Sequence, residues 1–244
     1  MARLIKIGNI ATGKNNNICD VPGVLVGQVT ICDEQNKTGV TAILPHSGNM
    51  FKEKVVGASY VYNGFGKSIG LVQIDELGTI ETPILLTGTL NVPIVSNGLL
   101  TYMLKDNPEI SVTTSTLNSV VLECNDGSIN FAQNRRVSEE DVFKAISSAS
   151  TEFLQGGVGA GTGMKCHGFK GGIGSSSRKI NIKDKEYTVG ILVNSNFGSS
   201  NGSDLIFNGR KLGQAILDYN LALEEDKGSI IVFIATDAPL AIPI

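Results

Sequence analysis

The sequence predicts an α+β fold, a layered sandwich in a single domain spanning residues 1–244. Three observations carry this. Short apolar runs rich in β-branched residues recur along the chain, each bounded by Gly, Asn, Asp or Pro, which is the pattern of strands. Several runs are continuously apolar rather than alternating, so part of the sheet is covered on both faces. Helical segments fall between strands without a strict βαβ alternation, and no internal repeat or linker divides the chain.

The predicted strands are Val24 to Val29, Val40 to Leu44, Gly70 to Ile74, Ile84 to Leu86, Ser119 to Leu122, Val189 to Val193 and Ile230 to Ile234. Three segments read as helices. Ser138 is an N-cap with Asp141 three residues on, followed by Val142, Ala145, Ile146 and Ala149 at helical spacing. Asn91 to Leu104 carries Pro93 in its first turn, although Asn97-Gly98 interrupts it. Asp204 is placed to cap a helix over Leu205 to Leu223, against the low propensity of Gly209 and Gly213.

Composition narrows the function classes. The 244 residues are 41% hydrophobic and 18% charged, with a net charge of −3 and no run of Lys/Arg. That leaves no basic surface for nucleic acid. No stretch reaches the roughly 18 apolar residues of a membrane span. The N-terminal residues show neither an apolar signal core nor a cleavage site, so the expectation is a soluble cytoplasmic protein. Cys19, Cys32, Cys124 and Cys166 form no C-x-x-C pair, and small buried thiols are expected rather than disulfides. A zinc site would need Cys124 or Cys166 brought to His167, so no metal is expected.

Four segments have chemical potential. GGVGAGTGMKCHGFKGGIGSSSR, residues 156–178, holds nine glycines. Its G-x-G-x-G core follows a helix instead of a strand and no Gly-Lys-Ser/Thr closes it, which excludes a dinucleotide or P-loop reading. A close-packed turn before a strand and the wall of a ligand cleft both remain open. Glu123-Cys124-Asn125-Asp126-Gly127 follows a strand and reads either as an ordinary turn or as a ligand-facing carboxylate. Asn194-Ser195-Asn196-Phe197-Gly198 also leaves a strand, where a side-chain amide can donate to an oxyanion or simply shape a loop.

The fourth is Gly228-Ser229, at the mouth of the last apolar run. Neither His46 nor His167 has the surroundings of a G-x-S-x-G elbow. A histidine-poor chain has another route. If the bond before Ser229 is cut, its new α-amine, with a pKa of about 7.7–8.0, can serve as the general base. Glycine before the serine suits such a cut, since it neither blocks attack nor resists a strained backbone. A serine that merely starts a strand is the simpler alternative.

Together and in this order, these segments resemble the DmpA-type L-aminopeptidase/D-esterase and β-peptidyl aminopeptidase family. The matching stretches are ICDVPGVLVGQVT, GVTAILPH, NGFGKSIGLVQIDELGTIETPILLTGTLNV, VVLECNDGSIN, GVGAGTGMKCHGFKGGIGSSSR, YTVGILVNSNFG and GSIIVFIATDAPL, from Ile18 to Leu240. The resemblance implies a four-layer α-β-β-α sandwich, similar to N-terminal-nucleophile hydrolases. It implies self-cleavage between Gly228 and Ser229, giving residues 1–228 and 229–244, with Ser229 as the N-terminal nucleophile. Asn196 matches the oxyanion-stabilising asparagine and Asp126 the acid that meets the substrate amine, while Gly159 and Gly161 line the cleft. No cofactor is implied. The implied partners are a short peptide or amino-acid amide or ester, and further copies of the chain.

Two features depart from the pattern. Ser128 stands where the family's peptidases usually carry a tyrosine. Only 15 residues follow Ser229, whereas the family continues with helices, a further strand and a second catalytic Ser and acid pair. The sequence therefore predicts a fold incomplete at its C-terminal side, with an uncovered apolar sheet face. Two alternatives stay in view. One is an inactive truncated member needing a partner for the missing layer. The other is an acyltransferase of the ornithine acetyltransferase type, whose threonine nucleophile is absent here.

Overall fold

The computed structural model describes residues 8–199, 202, 204–207, 209–212 and 228–240. Its main elements, in chain order, are β1 (Leu25–Cys32), β2 (Lys37–Leu44), α1 (Leu71–Leu77), β3 (Ile84–Gly88), α2 (Val92–Asp106), β4 (Val120–Cys124), α3 (Glu139–Ser147), β5 (Gly172–Ile182), β6 (Lys185–Asn196) and β7 (Ser229–Thr236). Two sheets result. The first runs β1-β2-β3-β4, antiparallel except for the parallel β3/β4 pair, and the second runs β7-β6-β5, antiparallel throughout.

The layers follow from which face each strand buries. Val40, Ala42, Leu85 and Val121 of the first sheet pack against Val95, Leu99 and Met103 of α2 and Val142, Ala145 and Ile146 of α3. From the other face of that sheet, Val26, Ile43, Ile84, Leu86 and Cys124 meet Ile173, Leu192 and Ile231 of the second. The first sheet is thus covered on both sides, as continuous apolar runs require. The described residues supply three layers: helices, sheet, sheet. The outer face of β7 carries Ile230, Val232 and Ile234 at 48%, 51% and 61% exposure, an apolar row on the far side of the second sheet.

The predicted cap of α3 is present. Asp141 N–H donates to Ser138 Oγ and Ser138 N–H to Asp141 Oδ2, a reciprocal capping box. Pro93 occupies the first turn of α2 as expected. Among the described residues no helix is long and apolar enough to cross a membrane.

Three expectations change. Gly70 to Ile74 is not a strand: Gly70, at φ +92°, turns the chain into α1, which ends on Gly78 at φ +64°. A five-residue apolar run has too little length to declare its period, and the flanking left-handed glycines decide for a helix. The helix expected from Asp204 does not begin there. Ile206–Phe207 and Arg210–Lys211 pair as a short hairpin, and Asp204 accepts from Ser199 and pairs with His167 instead. The rest of that predicted helix lies outside the described residues. Finally, β5 begins inside the glycine-rich run, at Gly172.

Candidate active site

The site forms where β4, β6 and β7 end side by side. In the β6/β7 ladder Asn196 is the direct partner of Ser229. Their side chains meet: Asn196 Nδ2 donates to Ser229 Oγ at 3.0 Å. The backbone N–H of Asn125, just past β4, donates to the same oxygen at 3.2 Å. Two donors therefore converge on one hydroxyl oxygen, and donors aimed at an oxygen favour its charged form.

The Asn196 amide is held in this orientation from both ends. Its Oδ1 accepts the backbone N–H of Lys165 at 2.9 Å, and its Nδ2 also donates to the carbonyl of Asn125 at 2.8 Å. Backbone groups at both poles fix which end is nitrogen. Lys165 belongs to a hairpin in which Lys165–Cys166 pairs with Phe169–Lys170 around His167 and Gly168, both left-handed.

Gly228 precedes Ser229 in a position that excludes any side chain. A Cβ there would lie 2.5 Å from Phe197 Cα and 3.1 Å from the Asn196 carbonyl oxygen. The Gly228-Ser229 peptide is thereby pressed against the segment that carries Asn196.

Neither histidine partners Ser229 among the described residues. His46 is engaged by Glu53 O and Gly48 N–H, and His167 by Asp204 at 2.8 Å and by edge contact with Phe197. Hydrogen bonds from Ser199 and His167 outweigh burial and hold the Asp204 carboxyl below its ordinary range. The thiol of Cys124 also lies beside Ser229, but it is no competitor. Burial pushes its pKa up to about 12, against the opposing hydrogen bond with Ser229. A buried, protonated thiol is a poor nucleophile, which leaves the Ser229 hydroxyl.

Asp126 is brought near these groups but faces inward. It is 1% exposed, and its Oδ2 accepts from Asn130 Nδ2 at 3.0 Å, with a further hydrogen bond to Thr38. Burial raises its pKa above the usual aspartate range, the Thr38 and Asn130 bonds opposing. Asn130 in turn accepts the Lys37 N–H, so the Asp126 turn is pinned to the start of β2. Direct contact with a substrate amine is closed to this carboxylate as it stands. Ser128 is exposed on the same turn.

Gly159 and Gly161 lie buried in a 3₁₀ turn against β1, β2 and β5. Gly159 N–H donates to Thr30 Oγ1 and Ala160 N–H to Thr41 Oγ1. A Cβ would fall 2.4 Å from Thr41 Oγ1 on Gly159 and 2.6 Å from Ile173 N on Gly161. Close packing is what these glycines do in the structure. No three His, Cys, Asp or Glu side chains converge as a metal centre among the described residues.

Residues 16–242 match Peptidase family S58. The chain belongs to that family. It is 36% identical over 250 residues to the β-peptidyl aminopeptidase BapA of Sphingosinicella xenopeptidilytica, covering 93% of this chain and 61% of that protein. A crystal structure of a protein from Pyrococcus horikoshii OT3 superposes with a TM-score of 0.90 at 49% identity, covering 97% of this chain and 67% of the other. The L-aminopeptidase D-Ala-esterase/amidase of Ochrobactrum anthropi, described as a variant of the Ntn hydrolase fold, superposes with a TM-score of 0.83 at 31% identity, covering 96% and 66%. The S58 chain thus spans about three fifths of its curated relative's length and shares the fold of these solved structures.

Of the S58 site residues read from sequence, Ser229, Asn196 and Gly228 lie together. Two contributors escaped the reading, the backbone N–H groups of Asn125 and Lys165. Side-chain identity carries no signal for a backbone donor. The only hint was that both sit in segments already marked by their glycines and turn residues.

Proposed function

We propose that this protein is a self-processing serine aminopeptidase, hydrolysing the N-terminal residue of short peptides, amides or esters. The observation that carries this is the convergence of Asn196 Nδ2 and Asn125 N–H on Ser229 Oγ, directly after a glycine that the Phe197 backbone holds in place.

In the first step Ser229 Oγ attacks the Gly228 carbonyl carbon, the C–N bond of that peptide breaks as the ester C–O bond forms, and the hydroxyl proton passes to the leaving nitrogen. Water then hydrolyses the ester, returning the hydroxyl and leaving a free α-amine on Ser229. That amine, with a pKa of about 7.7–8.0, is partly neutral near pH 7 and accepts the hydroxyl proton as Oγ attacks the substrate carbonyl. The leaving amine takes the proton. Asn196 Nδ2 and Asn125 N–H, which meet Oγ itself, are at hand for the carbonyl oxygen two bonds away, where the oxyanion develops and where such donors are effective. A second water releases the product acid.

Asp126 enters this reading as the pin of the turn that holds Asn125, whose N–H and carbonyl meet Ser229 and Asn196 respectively. Gly159 and Gly161 act by letting the turn before Lys165 sit deep between the sheets. The names of the relatives support a substrate with a free amine, either an α- or a β-amino acid at its N-terminus. The acyltransferase alternative is not favoured, given a serine at the nucleophile position and membership of a peptidase family.

Intact mass and a p-nitroanilide assay with N-terminal alanine and β-alanine substrates test the proposal. The wild-type protein should show a break after Gly228, and Ser229→Ala should abolish both the break and hydrolysis. A Ser229→Ala protein still found in two pieces would sink the mechanism.

A further inference from the structure

The ammonium of Lys170 is drawn into the glycine-rich turn. It donates to three backbone carbonyls, those of Gly161, Met164 and Gly171, each at 2.9 Å. An ammonium has three donors and no acceptor, so the group is saturated. Partial burial lowers its pKa below the usual lysine range, although the residue as a whole is exposed at the surface. Its acceptors lie on both limbs of the turn, Gly161 and Met164 on the way in and Gly171 on the way out. The Gly171 N–H closes the same loop on Met164 O at 2.9 Å.

The residue after Met164 is Lys165, whose N–H donates to Asn196 Oδ1. That bond turns the amide so that Nδ2 faces Ser229 Oγ. A continuous path of hydrogen bonds therefore runs from the Lys170 ammonium through the Met164–Lys165 backbone to the nucleophile.

We infer that Lys170 is a positioning residue: by stitching the two limbs of the 161–171 turn, it sets the Lys165 N–H that aims the Asn196 amide at Ser229. The inference rests on the serine-nucleophile reading above for its catalytic consequence, though not for its geometry. An ammonium suits the task, since its three donors match the three carbonyls one for one.

Lys170→Met keeps the length of the stem and removes every donor. Hydrogen exchange at the Lys165 amide should quicken by about tenfold relative to β1 and β2 amides, a local opening. The kcat for an alanyl p-nitroanilide should fall by about 10- to 100-fold, the scale of a misplaced catalytic group, with KM little changed because Asn196 acts in the transition state. A merely structural lysine would lower Tm without singling out Lys165 or splitting kcat from KM. Unchanged Lys165 exchange in the variant overturns the inference. A wild-type protein that neither cuts itself nor hydrolyses substrate would instead sink the functional reading, and the exchange measurement still decides for Lys170. Should Lys170→Met fail to fold, Lys170→Gln, with two donors on a shorter stem, is read the same way. Wild-type protection in that variant is equally fatal.

Discussion

Asn196 and Ser229 face one another across the β6/β7 ladder, amide nitrogen 3.0 Å from hydroxyl oxygen, with the orientation of the amide fixed by Lys165 N–H. The pairing makes a specific demand: position 196 must donate. Asn196→Asp preserves shape and removes the donor, leaving a carboxylate against the Ser229 oxygen. Acylation should fall by about 10²–10³-fold, as for the loss of other oxyanion donors. Burst kinetics with a p-nitrophenyl ester measure this, and an unchanged burst rate would remove Asn196 from the site.

Gly228→Ala tests the junction separately from the nucleophile. The added Cβ would stand 2.5 Å from Phe197 Cα, a distance only a backbone shift can relieve. The Gly228 carbonyl then moves relative to Ser229 Oγ, and self-cleavage should slow by about 10²-fold or more. A time course of intact mass after synthesis measures it. Processing at the wild-type rate would mean that the close fit at residue 228 has no part in the cut.

What was legible in the sequence divides along physical lines. β2 and β3 announced themselves because strands buried on both faces need continuous apolar runs. α3 did so because its cap is written in side chains, Ser138 and Asp141. α1 did not: Val72 and Leu77 are exposed on it, so no amphipathic stripe marks a helix that its end glycines impose. At the site, Ser229 and Asn196 were readable as residue types in a family pattern. Asp126 was readable as a carboxylate but not as a buried one, because burial is set by Thr38 and Gly88 from two other segments and by Asn130 across its own turn.

The legible cap gives a stability prediction. Ser138→Ala removes the Oγ that accepts the Asp141 N–H, one of the two bonds of the capping box at the N-terminus of α3, and should cost about 1 kcal/mol. For a chain of this size that lowers Tm by about 2–4 °C. Calorimetry reads it directly, and catalytic constants per folded molecule should stay unchanged, since α3 lies on the far side of the first sheet from Ser229.

Asp126 yields a pH dependence with a definite sign. Its folded-state pKa is raised, chiefly by burial, so the folded protein favours the protonated acid more than the unfolded chain does. The contribution to stability is complete below the unfolded value near pH 4 and is lost as pH rises through the elevated folded value. Above that point the fold carries a buried carboxylate. Asp126→Asn keeps an acceptor for Asn130 Nδ2 and abolishes the charge, and Thr38 Oγ1 can accept from the new amide. The Tm of the variant relative to wild type should therefore be higher at pH 7 than at pH 4, the gap opening across the elevated pKa. Melting curves at half-unit pH steps measure this. A difference that instead grew toward acid would mean that the ionised form of Asp126 is the one the fold prefers.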